Sequence, residues 1–488
     1  MRDQILILDF EPSYSAYIAS KLRAERISAR IIPGETSAES IMNQEVLGVI
    51  LSGGIHNEAL SNLDAQLLRC GIPVLALGSA AGVVNALLGG HNSDVEVIEG
   101  VDTIVFHPSK ITNGLTESER QFGSIVTFSL GNDIQELATY QGKSIGFFHK
   151  SLAIYAVSSQ LEPNDPDMMS LLMQFATDIC GCTRWWNDDT FISIAKGEIQ
   201  EAAGEGKALC VMSGGLDSGV TALLAHRALG SRLTCLFIDN GLLRENDVVE
   251  FSSYYKSVGL NLVIVDAADE VMEALKGLTV PSEKRATLQK VIKKVINEAA
   301  DKIDFQLLIE SGSSDYLFSG KKKPDAFSIL ENPVNWVAPL RDLFKEEIRQ
   351  VGLALGMPPE MTMMQPFPWS GLALRIGLEC TREKIGLLRR ADHLFQQSIK
   401  DAGLQKRMWK YFVLLDESSH RQDERRFILS LRAVSMSHTG KDLRAIPARL
   451  PYDLLERYTQ TIMETEPQVC SVSYDLTPGV IVQECEWQ

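Results

Sequence analysis

The sequence ALCVMSGGLDS, residues 208 to 218, decides how the central part of the chain folds. Its first five residues, Ala208 to Met212, are mostly apolar and predict a buried parallel strand. A short polar turn with two glycines follows, and the spacing of Val220, Leu223 and Leu224 predicts a helix directly after it. Because the N–H groups at a helix N-terminus attract anions, this strand, turn and helix predict a phosphate-binding site.

The residues of the turn suit such a site. Gly214 and Gly215 let the backbone approach a phosphate closely, and Ser213 and Ser218 add hydroxyl donors. Asp217 is a poor neighbour for an anion unless a divalent cation lies between them. We therefore expect Asp217 to bind Mg²⁺.

The turn has no lysine after its glycines, so it differs from the GxxxxGK[ST] loop. It resembles the PP-loop of ATP pyrophosphatases, written SGGxDS. Those enzymes split ATP between its α and β phosphates and attach AMP to a carbonyl oxygen. The resemblance implies ATP and Mg²⁺ as cofactors, with Asp217 and Ser218 in catalysis. The residues implied to bind ATP are Ser213, Gly214, Gly215, Leu216, Asp217 and Ser218.

The composition limits what the protein can be. A length of 488 residues predicts about three domains, and 45% hydrophobic with 23% charged residues is typical of a soluble globular protein. A net charge of −16 argues against general nucleic-acid binding. The eight cysteines are scattered, and no apolar run is long enough for a membrane span. We expect a cytoplasmic protein without a signal peptide or a membrane partner.

The first part of the chain, residues 1–183, alternates strands and helices. Buried strands are predicted at residues 4–9, 28–32, 47–51 and 73–77, and helices at residues 14–25 and 64–70. This alternation predicts a parallel, doubly wound sheet whose functional groups lie at the carboxyl ends of the strands.

This part resembles the class I glutamine amidotransferases, in particular the N-terminal half of the GMP synthetases (GMP synthases). LILDF at residues 6–10 and GVILSGG at residues 48–54 are similar to that family. In such domains a cysteine follows a strand written PVxGI and attacks the glutamine amide, and a histidine in YGVQFHPE takes its proton.

Neither group is present at the corresponding position. Gly78 follows the strand PVLAL where the cysteine would be, Gln160 replaces the histidine, and Glu162 alone matches. We therefore predict that this domain cannot hydrolyse glutamine. The alternative nucleophile, Ser79, would need His149 as its base, and nothing in the sequence brings these two residues together.

The middle part, residues 184–368, is implied to be the ATP pyrophosphatase domain. Asp239 ends the strand next to the PP-loop strand and begins DNGLLR, a run that in GMP synthetases lies beside the nucleotide. Asp239 is therefore expected to contact ATP or Mg²⁺, with a plain turn residue as the alternative. Arg285 lies in a helix that resembles KRKIIGR and is expected to bind the substrate. The run from Leu308 to Asp315 corresponds to LAQGTIYPD and is one residue shorter, and Asp315 is expected to bind the substrate. The helix PLRDLFKEEIR at residues 339–349 matches the family, whereas its paired lid histidines are absent.

The last part, residues 369–488, resembles the dimerisation domain of the family through LRAV at residues 431–434 and LPYDLLER at residues 450–457. The resemblance implies a homodimer. The lysine of the family's C-terminal run KPPATIEWE, which binds the nucleotide phosphate, is absent, and Arg425 or Arg426 is expected to compensate for it.

The sequence therefore predicts an α/β protein with two doubly wound parallel sheets and a small α+β dimerisation domain. We expect it to adenylate a purine-nucleotide-like acceptor, xanthosine monophosphate or a relative, for attack by ammonia or another amine. Two alternatives remain. One is a pseudoenzyme that binds nucleotides and has a regulatory or assembly role. The other is sulfur transfer, which needs a reactive cysteine near the loop, whereas Cys210 and Cys235 lie in predicted buried strands.

Overall fold

The structure is a computed structural model, and it describes residues 3–53, 62–97, 101–121, 124–159, 165–312, 330–331, 334–365, 367, 370–418, 426–439 and 442–477. The chain divides into two compact units. The first contains Met1–Phe191, and the second begins at Ile192. The predicted division into domains 1–183, 184–368 and 369–488 stays a prediction.

The first unit is built on one large sheet with helices on its faces. Its helices are α1 Pro12–Ala24, α2 Ala38–Met42, α3 Ser79–Leu87 and α4 Pro166–Gln174, and α5 Asp188–Ala203 starts in this unit. Its strands are β1 Ile5–Asp9, β2 Ala29–Pro33, β3 Gly48–Ser52, β4 Val74–Leu77, β5 His91–Asn92, β6 Glu96–Val97, β7 Val101–Phe106, β8 Glu117–Gln121, β9 Ser124–Ile125, β10 Phe128–Ser129, β11 Ile134–Tyr140, β12 Lys143–His149 and β13 Ile154–Val157.

The strand order in this sheet is β2-β1-β3-β4-β13-β12-β11-β7-β8; off this path, β10 pairs with β12, and β5 pairs with β10. The first five strands in that order are parallel, and the others run antiparallel to their neighbours. Ile5, Leu6, Ile7 and Leu8 on β1 are fully buried, as expected of a strand covered on both faces. The strands predicted in this region are confirmed to within one residue at each end. The predicted helix at residues 64–70 is a 3₁₀ helix, Ala65–Arg69, started by the Asp64 side chain, which accepts the Gln66 N–H.

The second unit contains two sheets that share one apolar core. Its further helices are α6 Leu216–Leu229, α7 Asp247–Ser257, α8 Ala268–Ala274, α9 Pro281–Ala300, α10 Lys345–Ala354, α11 Pro359–Thr362, α12 Arg382–Asp401 and α13 Tyr452–Thr465. Its strands are β14 Ala208–Met212, β15 Leu233–Asp239, β16 Leu262–Asp266, β17 Leu307–Ile309, β18 Asn335–Val337, β19 Lys410–Glu417, β20 Phe427–Thr439, β21 Asp442–Pro447 and β22 Val469–Tyr474.

The strand order β16-β15-β14-β17-β18 forms the first of these sheets, and every neighbouring pair is parallel. In the second sheet, β20 pairs antiparallel with β19 and β21 and parallel with β22. Helix α9 contributes Leu288 and Val295 to the shared core, and α12 contributes Leu388 and Phe395. The predicted α/β class, with two parallel-rich sheets and a smaller sheet domain, is confirmed. Among the described helices, none combines the length and the apolar composition of a membrane span.

Candidate functional site

The PP-loop joins the end of β14 to the start of α6. Gly214 has a φ of +80°, a backbone conformation that favours glycine. A β-carbon at Gly214 would lie 3.0 Å from the ring of Phe251 and 3.3 Å from the ring of Phe237. The turn therefore needs a glycine here both for its conformation and for its close approach to the two rings.

Two serine side chains converge inside this turn. The Ser218 Oγ lies 3.2 Å from both the backbone nitrogen and the Oγ of Ser213, and it donates to the Gly215 carbonyl at 3.0 Å. The Ser213 Oγ in turn accepts the Gly215 N–H at 3.4 Å. The predicted hydroxyl donors are therefore gathered at the N-terminus of α6, where the helix dipole attracts negative charge.

Asp217 lies in the first turn of α6 and is paired with a lysine to which the loop motif gives no clue. The Lys345 Nζ lies 2.7 Å from one Asp217 carboxylate oxygen and 2.8 Å from the other. Lys345 is the first residue of α10, which packs against α6. The pair is partly open to solvent, since 41% of the Lys345 side chain and 21% of the Asp217 side chain are exposed.

The donor set around this turn fits Mg²⁺ bound together with phosphate oxygens. Among the described residues there is no group of three or more histidine, cysteine or acidic side chains that could hold a metal ion. Mg²⁺ commonly uses one or two carboxylates, with substrate phosphates and water completing its shell. Asp217 supplies one carboxylate at the anion-binding turn, and Lys345 is the cation that neutralises it in this structure.

Asp239 lies at the end of β15, the strand beside the PP-loop strand, so both reach the same edge of the parallel sheet. Its Oδ1 accepts the Gly241 N–H at 3.0 Å, which begins the turn of DNGLLR. Arg389 of α12 holds that turn from outside: its Nε donates to the Leu243 carbonyl and its Nη2 to the Gly241 carbonyl, both at 2.6 Å. The loop expected to lie beside the nucleotide is therefore fixed to α12.

A buried charge network lies behind this loop. The Asp392 Oδ1 accepts from the Arg375 Nη1 at 3.1 Å and from the Val413 N–H at 3.0 Å. The Asp392 Oδ2 accepts from the Gln396 Nε2 at 2.6 Å and lies 3.9 Å from the Arg244 Nε. The Arg375 and Asp392 side chains are 1% and 2% exposed. Arg244, the last residue of DNGLLR, is therefore held by the same carboxylate as Arg375.

Helix α9 presents Arg285 and Lys284 in different ways. Arg285 is half-buried near the start of the helix, and its role towards a substrate stays a prediction. Lys284 is fully buried, and its Nζ donates to the carbonyls of Ala373, Ile376 and Leu378 at 3.4, 2.7 and 2.6 Å. Burial lowers the pKa of this ammonium group. Lys284 therefore ties α9 to the segment before α12 and is not part of a solvated basic helix face.

Sulfur chemistry beside the loop has no support in the described structure. Cys210 and Cys235 are neighbours on β14 and β15, and both are fully buried. The contact with Cys235, followed by burial, raises the pKa of the Cys210 thiol. Because the thiolate is the reactive form, the raised pKa makes Cys210 a poor nucleophile. Both cysteines are buried core residues, as the sequence predicted.

In the first unit, Gly78 occupies the turn between β4 and α3 with a φ of +64° and a ψ of −136°. A nucleophilic cysteine would stand at this turn in the amidotransferase family, and glycine has no side chain to attack a substrate. The turn is also tightly packed, because a β-carbon at Gly53 would collide with the Ala80 nitrogen. The residue at this turn is therefore a glycine in a left-handed conformation, followed by Ser79 at the start of α3.

The two residues of the alternative pair, Ser79 and His149, lie at opposite ends of the strands of the sheet. Ser79 follows the carboxyl end of β4, whereas His149 ends β12. Strand β12 runs antiparallel to β13, which is parallel to β4, so His149 lies at the opposite edge of the sheet. Its Nδ1 accepts the N–H groups of Ser151 and Leu152 at 3.2 and 3.1 Å. His149 closes a turn and is not a base for Ser79.

Several predicted site residues lie outside the described residues. They are Gln160, Glu162, Asp315 and Arg425.

No protein-family model matches the chain. Glutamine-hydrolysing GMP synthases from three bacteria are similar to it over their full length, each at 32% identity. Those from Acetivibrio thermocellus and Caldicellulosiruptor saccharolyticus cover 99% of this chain and 99% of the relative, and that from Carboxydothermus hydrogenoformans covers 100% of both. A solved structure from Thermoplasma acidophilum, described as one subunit of a GMP synthase, covers 37% of this chain and 95% of its own, at 18% identity. Its TM-score of 0.34 is too low to support any statement about the site.

Proposed function

The chain belongs to the GMP synthase family, and from that premise we propose that it is an ATP pyrophosphatase that adenylates a carbonyl oxygen of a purine-nucleotide-like acceptor. The acceptor is xanthosine monophosphate or a relative. Free ammonia or another amine then displaces AMP, and the products include AMP and pyrophosphate. Glutamine is not hydrolysed in this scheme.

The observation that carries the proposal is the turn between β14 and α6. The hydroxyls of Ser213 and Ser218 lie 3.2 Å apart at the N-terminus of α6, and Asp217 and Lys345 bring one negative and one positive charge to the same place. A phosphate chain needs hydrogen-bond donors together with positive charge. A loop that served only to connect a strand to a helix would need neither the paired charges nor both hydroxyls.

Each group has a distinct task when ATP binds. The N–H groups at the start of α6 and the two serine hydroxyls hold the β and γ phosphates, so the departing pyrophosphate is stabilised before its bond breaks. The Lys345 ammonium group moves from Asp217 to a phosphate oxygen and neutralises part of the negative charge of the phosphate. Asp217 would hold Mg²⁺ here, and the ion would supply positive charge to the leaving group.

The proposed absence of glutamine hydrolysis rests on Gly78. Glutamine hydrolysis in the amidotransferases needs a covalent attack by a side chain at this turn, and glycine cannot supply it. His149 cannot activate Ser79 instead, because the two residues lie at opposite edges of the sheet. In this proposal the first unit persists without its catalytic chemistry, and ammonia comes from solution.

One observation favours a second candidate, a nucleotide-binding pseudoenzyme. Both carboxylate oxygens of Asp217 are engaged by Lys345, so the carboxylate is not open to a metal ion in this structure. A protein that only binds nucleotides would keep this pair closed. The two candidates differ in one observable property, because only the enzyme releases pyrophosphate.

A homodimer through residues 369–488 and a cytoplasmic location complete the proposal. The dimer is supported by the family and by exposed apolar side chains in this region, of which Tyr452 is 79% and Leu476 is 68% exposed. The location is supported by the cysteines, which are free thiols wherever the structure describes them.

The test is pyrophosphate release from ATP and Mg²⁺ with ammonium chloride and a panel of purine nucleotides, xanthosine monophosphate first. We expect release with at least one acceptor, and we expect Lys345→Met to lower its rate about 100-fold because a charge near the phosphates is lost. The matched control is Lys207→Met. Lys207 pairs with Asp304 at 2.8 Å but lies before β14, at the other edge of the sheet. Nucleotide binding without release by the unaltered protein would favour the pseudoenzyme.

A further inference from the structure

Glu310 lies at the same edge of the sheet as the PP-loop. It follows β17, and β17 pairs with β14 so that Ile309 is opposite Cys210. Glu310 therefore lies on the strand next to the one that leads to Ser213. Along the strand direction, it is two residues before the level of Ser213. With strands about 4.8 Å apart and a rise of about 3.3 Å per residue, the two α-carbons are about 8 Å apart. A glutamate side chain at this position can reach a ligand seated on the loop.

Within the described part of the chain, the carboxyl group of Glu310 has no partner. Its backbone N–H donates to the Val337 carbonyl at 2.9 Å, but its carboxyl makes no hydrogen bond or ion pair with the described residues. On the two neighbouring strands, the residues opposite Glu310 are Val211 and Ala338, and neither side chain is charged. Burial alone raises the pKa of Glu310 to about 7, and no charged or titratable group among the residues described contributes to the shift. A half-buried carboxyl without a counter-charge costs stability, and such groups are concentrated in functional sites.

The Glu310 side chain differs in its chemistry from the uncharged groups beside it. A carboxylate accepts a proton, whereas an amide or an apolar side chain does not do so at neutral pH. This chain therefore has an acid–base group at the nucleotide site, while its first unit has Gly78 in place of the cysteine nucleophile.

The protonation state of ammonia in solution explains why such a carboxyl group would be useful. At neutral pH most of it is the ammonium ion, which cannot attack because its nitrogen has no free electron pair. An enzyme that takes ammonia from solution needs a group that binds this cation and removes a proton. A partly buried carboxylate does both, because ion pairing is stronger away from bulk water.

We propose that Glu310 binds the ammonium ion and acts as the general base that converts it into the nucleophile. This inference rests on the proposed function and adds a residue and a cation site to it. Ammonium gives one proton to the Glu310 carboxylate. The ammonia nitrogen then bonds to the acceptor carbon, and the carbon–oxygen bond to AMP breaks with its electron pair on the AMP phosphate oxygen. The new C–N nitrogen releases its second proton to solvent.

The experiment compares the unaltered protein with Glu310→Gln, Glu310→Asp and the control Glu205→Gln. Glu205 is exposed in the turn before β14, away from the loop. Two rates are measured with ATP, Mg²⁺ and the best acceptor of the purine panel: ATP–pyrophosphate exchange, which reports adenylation, and amination, which reports the use of ammonium chloride.

We expect Glu310→Gln to raise the KM for ammonium at least 10-fold while exchange stays within about 3-fold of the unaltered protein, and Glu310→Asp to recover part of the loss. Amination by the unaltered protein at a fixed, limiting ammonium concentration should rise with pH through about 7, because the carboxylate is the active form. Glu310→Gln should lose the inflection near 7, and its rate should follow only the fraction of free ammonia in solution. An unchanged KM for ammonium, or an equal loss of exchange, overturns the proposal for Glu310 alone. If the unaltered protein shows neither exchange nor pyrophosphate release with any acceptor, the proposed function fails and the role of Glu310 fails with it.

Discussion

Asp217→Asn is expected to lower the rate of pyrophosphate release by about 1000-fold, at the upper end of the effects of single electrostatic groups in active sites. Asp217 is the only carboxylate within the PP-loop sequence, and it lies in the first turn of α6. Asparagine keeps the shape of the side chain, but it cannot neutralise a metal ion or form an ion pair with Lys345. The measurement is steady-state pyrophosphate release with ATP, Mg²⁺, ammonium chloride and the best acceptor.

The control for this prediction is Asp304→Asn. Asp304 accepts from Lys207 at 2.8 Å, so the same chemical change is made in a second lysine–aspartate pair of the same unit. Both residues are exposed and lie before the start of β14 and β17, at the end of the sheet opposite the PP-loop. Loss of this pair should therefore change the rate less than 2-fold. If Asp217→Asn also keeps more than half of the activity, the loop does not act as a PP-loop in this protein.

Asp392→Asn is expected to lower the free energy of unfolding of the second unit by about 3 kcal/mol. The Asp392 carboxylate is 2% exposed and lies between Arg375 and Arg244. Removing its charge leaves a buried guanidinium without its counter-charge, and this costs far more than the loss of a surface ion pair. The measurement is the shift of the denaturant midpoint of the second unit.

The control is Asp453→Asn, which breaks an exposed pair with Arg457 one helical turn away. Such pairs contribute about 0.5 kcal/mol or less, so the midpoint should hardly move. Asp392→Asn should also weaken ATP binding, because Asp392 pairs with Arg244, the last residue of the loop that starts at Asp239. A variant with normal stability and normal ATP affinity would show that this network does not support the loop.

The strands and the PP-loop could be predicted from local sequence. The apolar run from Ala208 to Met212 is β14 as the structure has it, and the glycine turn after it leads straight into α6. These features depend on residues that are adjacent in the chain. Buried parallel strands are apolar throughout and their turns contain glycine, so each element carries its own signal.

The partner of Asp217 could not be predicted in this way. Lys345 lies 128 residues further along the chain, and only the packing of α10 on α6 brings the two side chains together. The matched run PLRDLFKEEIR contains Lys345, but a lysine at the start of a helix is usually a solvated residue. Lys284 is a second case that local sequence does not indicate. A lysine near the start of a charged helix is usually solvated, whereas the Lys284 ammonium group is buried among three carbonyls.

The proposed absence of glutamine hydrolysis rests on one residue of the sequence, and the structure adds the reason why His149 does not serve Ser79 as a base. The sequence places Gly78 where the cysteine would stand. It does not show that β12 runs antiparallel to β13, which carries His149 away from Ser79. Strand direction depends on the pairing of the whole sheet, so the distance between His149 and Ser79 could be judged only from the structure.

The most direct test of the account compares nitrogen sources. Pyrophosphate release from ATP and Mg²⁺, with the best purine acceptor, is measured with ammonium chloride and with glutamine, and glutamate formation is measured in parallel. We predict turnover with ammonium, none above background with glutamine, and no glutamate. Glutamate production coupled to pyrophosphate release, or no release with either nitrogen source, would contradict the account.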